Sequence, residues 1–108
     1  MTEQERSQKA RECLRAAKLL CRRALVNAYE GNVSVRLEGS ILITPSAVCK
    51  EELEEDDLVE VDLSTGKTLR AKEGRIPSSE TKVHLCVYRH RTGPRGHRLS
   101  GADPLCKI

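Results

Sequence analysis

The hydrophobic period of the chain changes at Gly31, and that change limits the folds open to it. Before it, Ala10, Leu14, Ala17, Cys21 and Ala24 recur at helical steps, with Cys13, Leu20 and Leu25 beside them, while Arg11, Arg15, Lys18 and Arg22 take the opposite face. The pattern predicts one amphipathic helix over 2–27 with a single buried stripe, opened by Thr2 and Glu5 at capping-box spacing. After Gly31 the period falls to two. Val33, Val35 and Leu37 alternate with polar residues, Glu38-Gly39 is a turn candidate, and Ile41, Leu42 and Ile43 follow. This predicts two strands joined as a hairpin. A loop and a short acidic helix are expected within 44–57. "LVEVDL" (58–63) alternates as another strand, "STGK" (64–67) is a turn, and a short strand runs on through Leu69. Residues 79–91 read as a second helix, with Val83, Cys86 and Val87 as its apolar positions. Helices flanking a small, mostly antiparallel sheet make an α/β chain.

Composition narrows what this fold can do. Phe and Trp are absent and only two Tyr occur among 108 residues, so the core is aliphatic and the chain is about one small domain. The net charge is +3, with basic residues near the ends and an acidic stretch over 51–62. Without stacking aromatics, that distribution argues against a nucleic-acid partner. No apolar run reaches the length of a membrane span. The five cysteines form no CxxC pair and the first twelve residues are polar and charged. The expectation is a cytoplasmic protein with reduced thiols, of which Cys13, Cys21 and Cys86 sit in the core.

Three short loops carry residues suited to chemistry, each at the end of a regular element. Gly31-Asn32 precedes a strand: Gly lets a backbone approach a ligand and Asn can bond an oxygen, although a plain turn uses the same pair. Thr44-Pro45-Ser46-Ala47 leaves a strand and offers two hydroxyls and the Ala47 N–H, or equally a helix cap. Ser78-Ser79-Glu80 opens the second helix. The start of a helix has unpaired N–H groups and a positive dipole end, which suits an anion; simple capping by the serines, with Glu80 in the first turn, explains the same residues. A carboxylate beside an anion site repels the anion, and is better understood if it moves protons.

Four blocks in order, "GNVSVR", "ILITPS", "DLVEVDLSTGK" and "PSSETKVHLCVYRHR", resemble the class II aldolase/adducin family, from about Cys13 to Arg91. The family comprises metal-dependent enzymes that act on phosphorylated keto sugars, together with the non-catalytic head of adducin. The resemblance implies an α/β/α fold with a mostly antiparallel sheet, truncated at the C-terminus: residues 1–91 form the N-terminal part of the domain, and 92–108 a divergent, unstructured tail. It implies that Gly31, Asn32, Ser46, Ala47, Ser78 and Ser79 line a phosphate site. Glu80 would be the acid/base carboxylate of an aldol cleavage, and the partner a phosphorylated sugar. A homo-oligomer is also implied. Where the family commonly has Gly, Ala47 stands here; if that position needs positive φ, Ala costs about 1 kcal/mol. Zinc is the cofactor implied. Its His-x-His pair is missing from the sequence, so no residue is assigned as a metal ligand and turnover by this chain is not expected. His84 is read as structural, His90 as a solvated helix end, and His97 lacks a supporting strand. The alternative is a non-catalytic interaction module like the adducin head, or a truncated pseudo-enzyme.

Overall fold

The structure is a computed structural model that describes residues 2–23, 32–46, 49–92 and 105–107. Helix α1 spans Glu3–Arg22 and begins as its sequence dictates: the Thr2 hydroxyl accepts the Glu5 N–H at 3.1 Å while the Thr2 N–H reaches the Glu5 carboxylate at 3.4 Å. That reciprocal pair satisfies donors that a helix start leaves open. The last residues of the expected helix lie outside the described residues.

The chain then lays down strands β1 (Val33–Arg36), β2 (Ser40–Ile43), β3 (Val59–Asp62) and β4 (Thr68–Arg70), each antiparallel to the one before. The β1–β2 turn closes with the Leu37 N–H on the Ser40 carbonyl at 2.8 Å. The β3–β4 turn needs a left-handed residue and has one, Gly66 at φ 78. Helix α2 follows at Thr81–Thr92. In the stretch 92–108, expected to be unstructured, Leu105–Lys107 is a strand, β5, antiparallel to β1, with Ser34 opposite Cys106; residues 93–104 and 108 lie outside the described residues. The sheet order is β4-β3-β2-β1-β5.

Strand alternation assigns the faces. Val33, Val35 and Leu42 point one way and pack with Ala10, Cys13, Leu14 and Ala17 of α1. Small residues on α1 let it lie close to the sheet. Ile41, Ile43, Val59 and Val61 point the other way and pack with Leu85 and Tyr88 of α2. The result is three layers, α/β/α. The acidic stretch is two 3₁₀ turns, Lys50–Glu52 and Glu55–Asp57, rather than one short helix. Between them Leu53 is buried in the α1 cluster, which an α-helix through a run of like charges would not secure.

Two expectations about α2 are corrected. Cys86 is exposed and Val83 is 45% exposed, because the buried stripe runs through Thr81, His84, Leu85 and Tyr88, and positions 83 and 86 turn to the opposite side. Cys13 is fully buried, and burial pushes its thiol up to about 12, which makes it inert at neutral pH. Cys21 is half-buried.

Candidate functional site

Helix α2 begins later than its sequence pattern suggests, and this shapes the site. Ser78, Ser79 and Glu80 form the turn in front of it rather than its first turn. The Thr81 N–H bonds the Ser78 carbonyl at 3.1 Å, and the Glu80 carbonyl accepts the N–H groups of Val83 at 3.0 Å and His84 at 3.2 Å. Glu80 thus occupies the N-cap position. Its own N–H donates to the Ser78 hydroxyl at 3.1 Å, so its backbone is held from both sides while its carboxylate is exposed. The N–H groups of Ser79 and Lys82 have no protein acceptor among the described residues.

The Ser78 hydroxyl, only 6% exposed, donates to the Asn32 side-chain oxygen and so ties the α2 turn to the start of β1. The Ser46 loop joins from the third side. Pro45 and Pro77 face each other as an isolated antiparallel bridge, the Ser46 N–H bonds the Ile76 carbonyl at 3.0 Å, and the Ser46 hydroxyl bonds the Pro77 carbonyl at 3.2 Å. Asn32, Ser46 and Ser78 therefore meet at one place. Ser79 is exposed beside them. Ser78 and Ser79 also line a cleft of about 480 Å³ with Thr65, Lys82, Leu85 and Arg89, which puts the Lys82 side chain at the same cleft as the serines. Gly31 and Ala47 lie outside the described residues.

The loop that delivers Pro77 and Ser78 is anchored further back by a pair that carries no sequence signal. Asp57, which is buried, takes the Arg75 guanidinium at 2.9 Å, Lys72 at 3.5 Å and the Glu54 N–H at 2.9 Å. Burial pulls the Asp57 carboxyl up, but the Glu54 amide and the two cations outweigh it and hold it below the usual carboxylate range. At the other end, Thr44 fixes the base of the Ser46 loop: its N–H bonds the Val33 carbonyl at 3.0 Å and its hydroxyl accepts the Val33 N–H at 3.3 Å.

Beneath the site lies a buried polar chain. The Ser34 hydroxyl on β1 bonds His84 Nδ1 at 2.7 Å and the Tyr88 hydroxyl at 2.9 Å, with all three residues at 0% exposure. Burial pulls the His84 imidazole down to about 4, so it is neutral at pH 7. Its Nε2 has no hydrogen-bond partner among the described residues. Ser34 was a polar position of an alternating strand, and such positions are solvated unless a second layer covers them.

The described residues do not fit zinc. Among the described residues no group of three His, Cys, Asp or Glu stands close enough to hold a metal ion. His84 is buried with Nδ1 engaged by Ser34, His90 is exposed, and His97 lies outside the described residues.

A family profile described as the class II aldolase and adducin N-terminal domain matches residues 11–96. L-fuculose phosphate aldolase of Escherichia coli strain K12 is 37% identical over 87 residues, covering 81% of this chain and 39% of its own. Methylthioribulose-1-phosphate dehydratase of Methylococcus capsulatus is 38% identical over 100 residues, covering 92% of this chain and 46% of its own. A solved L-fuculose 1-phosphate aldolase superposes with a TM-score of 0.70 at 31% identity over 78% of this chain and 39% of that one. The chain thus spans about two fifths of the length of the curated relatives it matches.

Proposed function

The chain belongs to the class II aldolase and adducin N-terminal domain family, and on that premise we propose that the junction of Asn32, Ser46 and Ser78 is the phosphate end of a site for a phosphorylated keto sugar. The observation that carries this reading is the meeting of three loops, distant in sequence, around the turn before α2. The chemistry suits a phosphate. The Ser79 hydroxyl is a donor, the Ser46 and Ser78 hydroxyls become donors by turning from Pro77 and Asn32, the Ser79 and Lys82 N–H groups are without protein acceptors among the described residues, and the α2 dipole is positive here. Gly31 and the Ala47 N–H complete the loops in this reading.

Glu80 is the proposed acid/base group. Its backbone is fixed at the rim and its carboxylate points into solvent, where it can exchange protons with the carbon skeleton of a sugar whose phosphate is held by the serines.

Cleavage of a carbon–carbon bond in this family draws on a divalent metal, and the described residues offer no ligand set for one. On their own, the described residues are proposed to bind the sugar phosphate without cleaving it. Among the described residues no helix is long and apolar enough to cross a membrane; a cytoplasmic homo-oligomer is part of the same proposal, and light scattering reads the assembly. The missing His-x-His pair also favours a second reading, a non-catalytic interaction module.

Thermal unfolding with inorganic phosphate and with L-fuculose 1-phosphate tests the site. At a ligand concentration about a hundred times Kd, binding stabilises by about 2.7 kcal/mol and raises the midpoint by roughly 10 °C. The rise is expected in the wild type and lost in Ser78→Ala/Ser79→Ala. A wild type indifferent to both ligands would sink the phosphate reading and leave the interaction module.

A further inference from the structure

We propose that the buried chain Ser34–His84–Tyr88 is a positioning device that sets the rotation and height of α2 against β1, and so sets where Ser78 and Glu80 stand. The inference rests on the phosphate reading for its purpose, though not for its geometry.

Two polar crosslinks join the same two segments. At the rim, the Ser78 hydroxyl meets Asn32 just before β1; in the interior, Ser34 on β1 meets His84 and Tyr88 on α2. The two systems are covalently close on both sides. Ser34 is two residues from Asn32, and His84 is bonded through its N–H to the Glu80 carbonyl at 3.2 Å. A rotation of α2 that broke the interior contacts would carry the Glu80 carbonyl and the Ser78 turn with it.

His84 is not the simplest way to fill its space. Its Nε2 is buried without a partner among the described residues, which disfavours the folded state; a leucine would leave no such atom. What an imidazole adds is direction. Apolar contact is non-directional and leaves a helix free to slide or roll on a sheet, whereas a hydrogen bond fixes distance and angle. Ser34 receives two such contacts, from residues one helical turn apart, at 2.7 Å and 2.9 Å. Two points one turn apart fix both translation and rotation of the helix. The Ser34 hydroxyl has a single proton, so it can donate to at most one of the two partners and must accept from the other, which couples their hydrogen-bonding roles.

The test uses the full chain and two readouts. In the ligand-free protein, hydrogen exchange of the Glu80 N–H is compared with that of the Asp62 N–H, which ends β3 and closes the β3–β4 turn on the Lys67 carbonyl at 2.8 Å. With ligand, affinity for inorganic phosphate is measured by titration. Ser34→Ala is expected to speed Glu80 exchange by about tenfold relative to Asp62, the scale of one lost hydrogen bond, and to weaken phosphate binding similarly. Ser34→Thr, which keeps the hydroxyl on a strand, is expected to rescue both. Should Ser34→Ala not fold, Tyr88→Phe removes one of the two contacts at constant shape and carries the same test. Equal acceleration at Glu80 and Asp62, or no acceleration at Glu80, overturns the proposal. Wild-type phosphate binding that survives Ser34→Ala unchanged overturns the proposal and leaves the phosphate reading intact. A wild type that binds no phosphate but shows the selective exchange change overturns the phosphate reading and leaves the positioning device standing.

Discussion

The two faces of the sheet are made of different material. Against α1 the buried residues are Val33, Val35, Leu42, Leu53 and Leu58 with Ala10, Cys13, Leu14 and Ala17, and the Cys13 thiol on the Val33 carbonyl at 3.6 Å is a polar touch within an otherwise aliphatic layer. Against α2 a smaller aliphatic patch, Ile41, Ile43, Val59, Val61 and Leu85, is bordered by buried Ser34, His84, Tyr88, Thr81 and Ser78. The first face holds layers together. The second also specifies where one layer stands on the other, and the candidate site grows out of its polar margin.

Removing bulk from the first face should give the largest effect. Leu42→Ala, at a position with 0% exposure, is expected to lower stability by about 2–5 kcal/mol in urea unfolding. If the faces are as different as described, the surviving folded protein keeps its phosphate affinity. A loss of affinity equal to that of Ser34→Ala would erase the distinction.

Acid sharpens the contrast from the other side. The unfolded chain protonates His84 at its ordinary 6.5, whereas burial holds the folded group down to about 4. Between those values the unfolded state binds more protons, so stability present above pH 6.5 is lost as pH falls toward 4, by on the order of 3 kcal/mol. His84→Gln is expected to flatten this window in urea unfolding at pH 7, 5.5 and 4.5. Asp57 acts lower down: its carboxyl is held below the usual range, so its contribution is present above 3.8 and goes as pH falls further. An equally pH-dependent His84→Gln protein would show that the acid sensitivity has another source.

The smallest effect belongs to the edge of the first face. Thr2→Ala removes the hydroxyl that accepts the Glu5 N–H, while the Thr2 N–H on the Glu5 carboxylate remains, and is expected to cost about 1 kcal/mol, read as a lower urea midpoint with phosphate affinity unchanged.

The first face was legible in the sequence because periodicity reports which residues turn inward together. The α1 stripe, its capping box and the alternation of β1 to β3 all follow from spacing. The second face was less so, because period two says that a strand has two sides but not that both are covered. Ser34 therefore resembles a solvated position until α2 is seen lying over it. The same blindness misplaced Cys86 and Val83: a short helix with few apolar residues supports several stripes, and the one chosen runs through His84 and Thr81. In the site, Asn32, Ser46 and Ser78 could be nominated from their loops. Their contact depends on the Asp57–Arg75 anchor, which joins an acidic run to an unremarkable loop and leaves no trace in local spacing.

Pro45 and Pro77, which face each other where the Ser46 and Ser78 loops meet, bear on a different quantity. A proline ring fixes φ before folding begins, so the unfolded chain has fewer conformations to give up at those two points. Each such residue, where the folded φ suits it, favours the folded loop by about 0.4–1 kcal/mol without making any contact. The two loops that frame the candidate site are thus narrowed in advance of ligand, and less of any binding free energy is spent on ordering them.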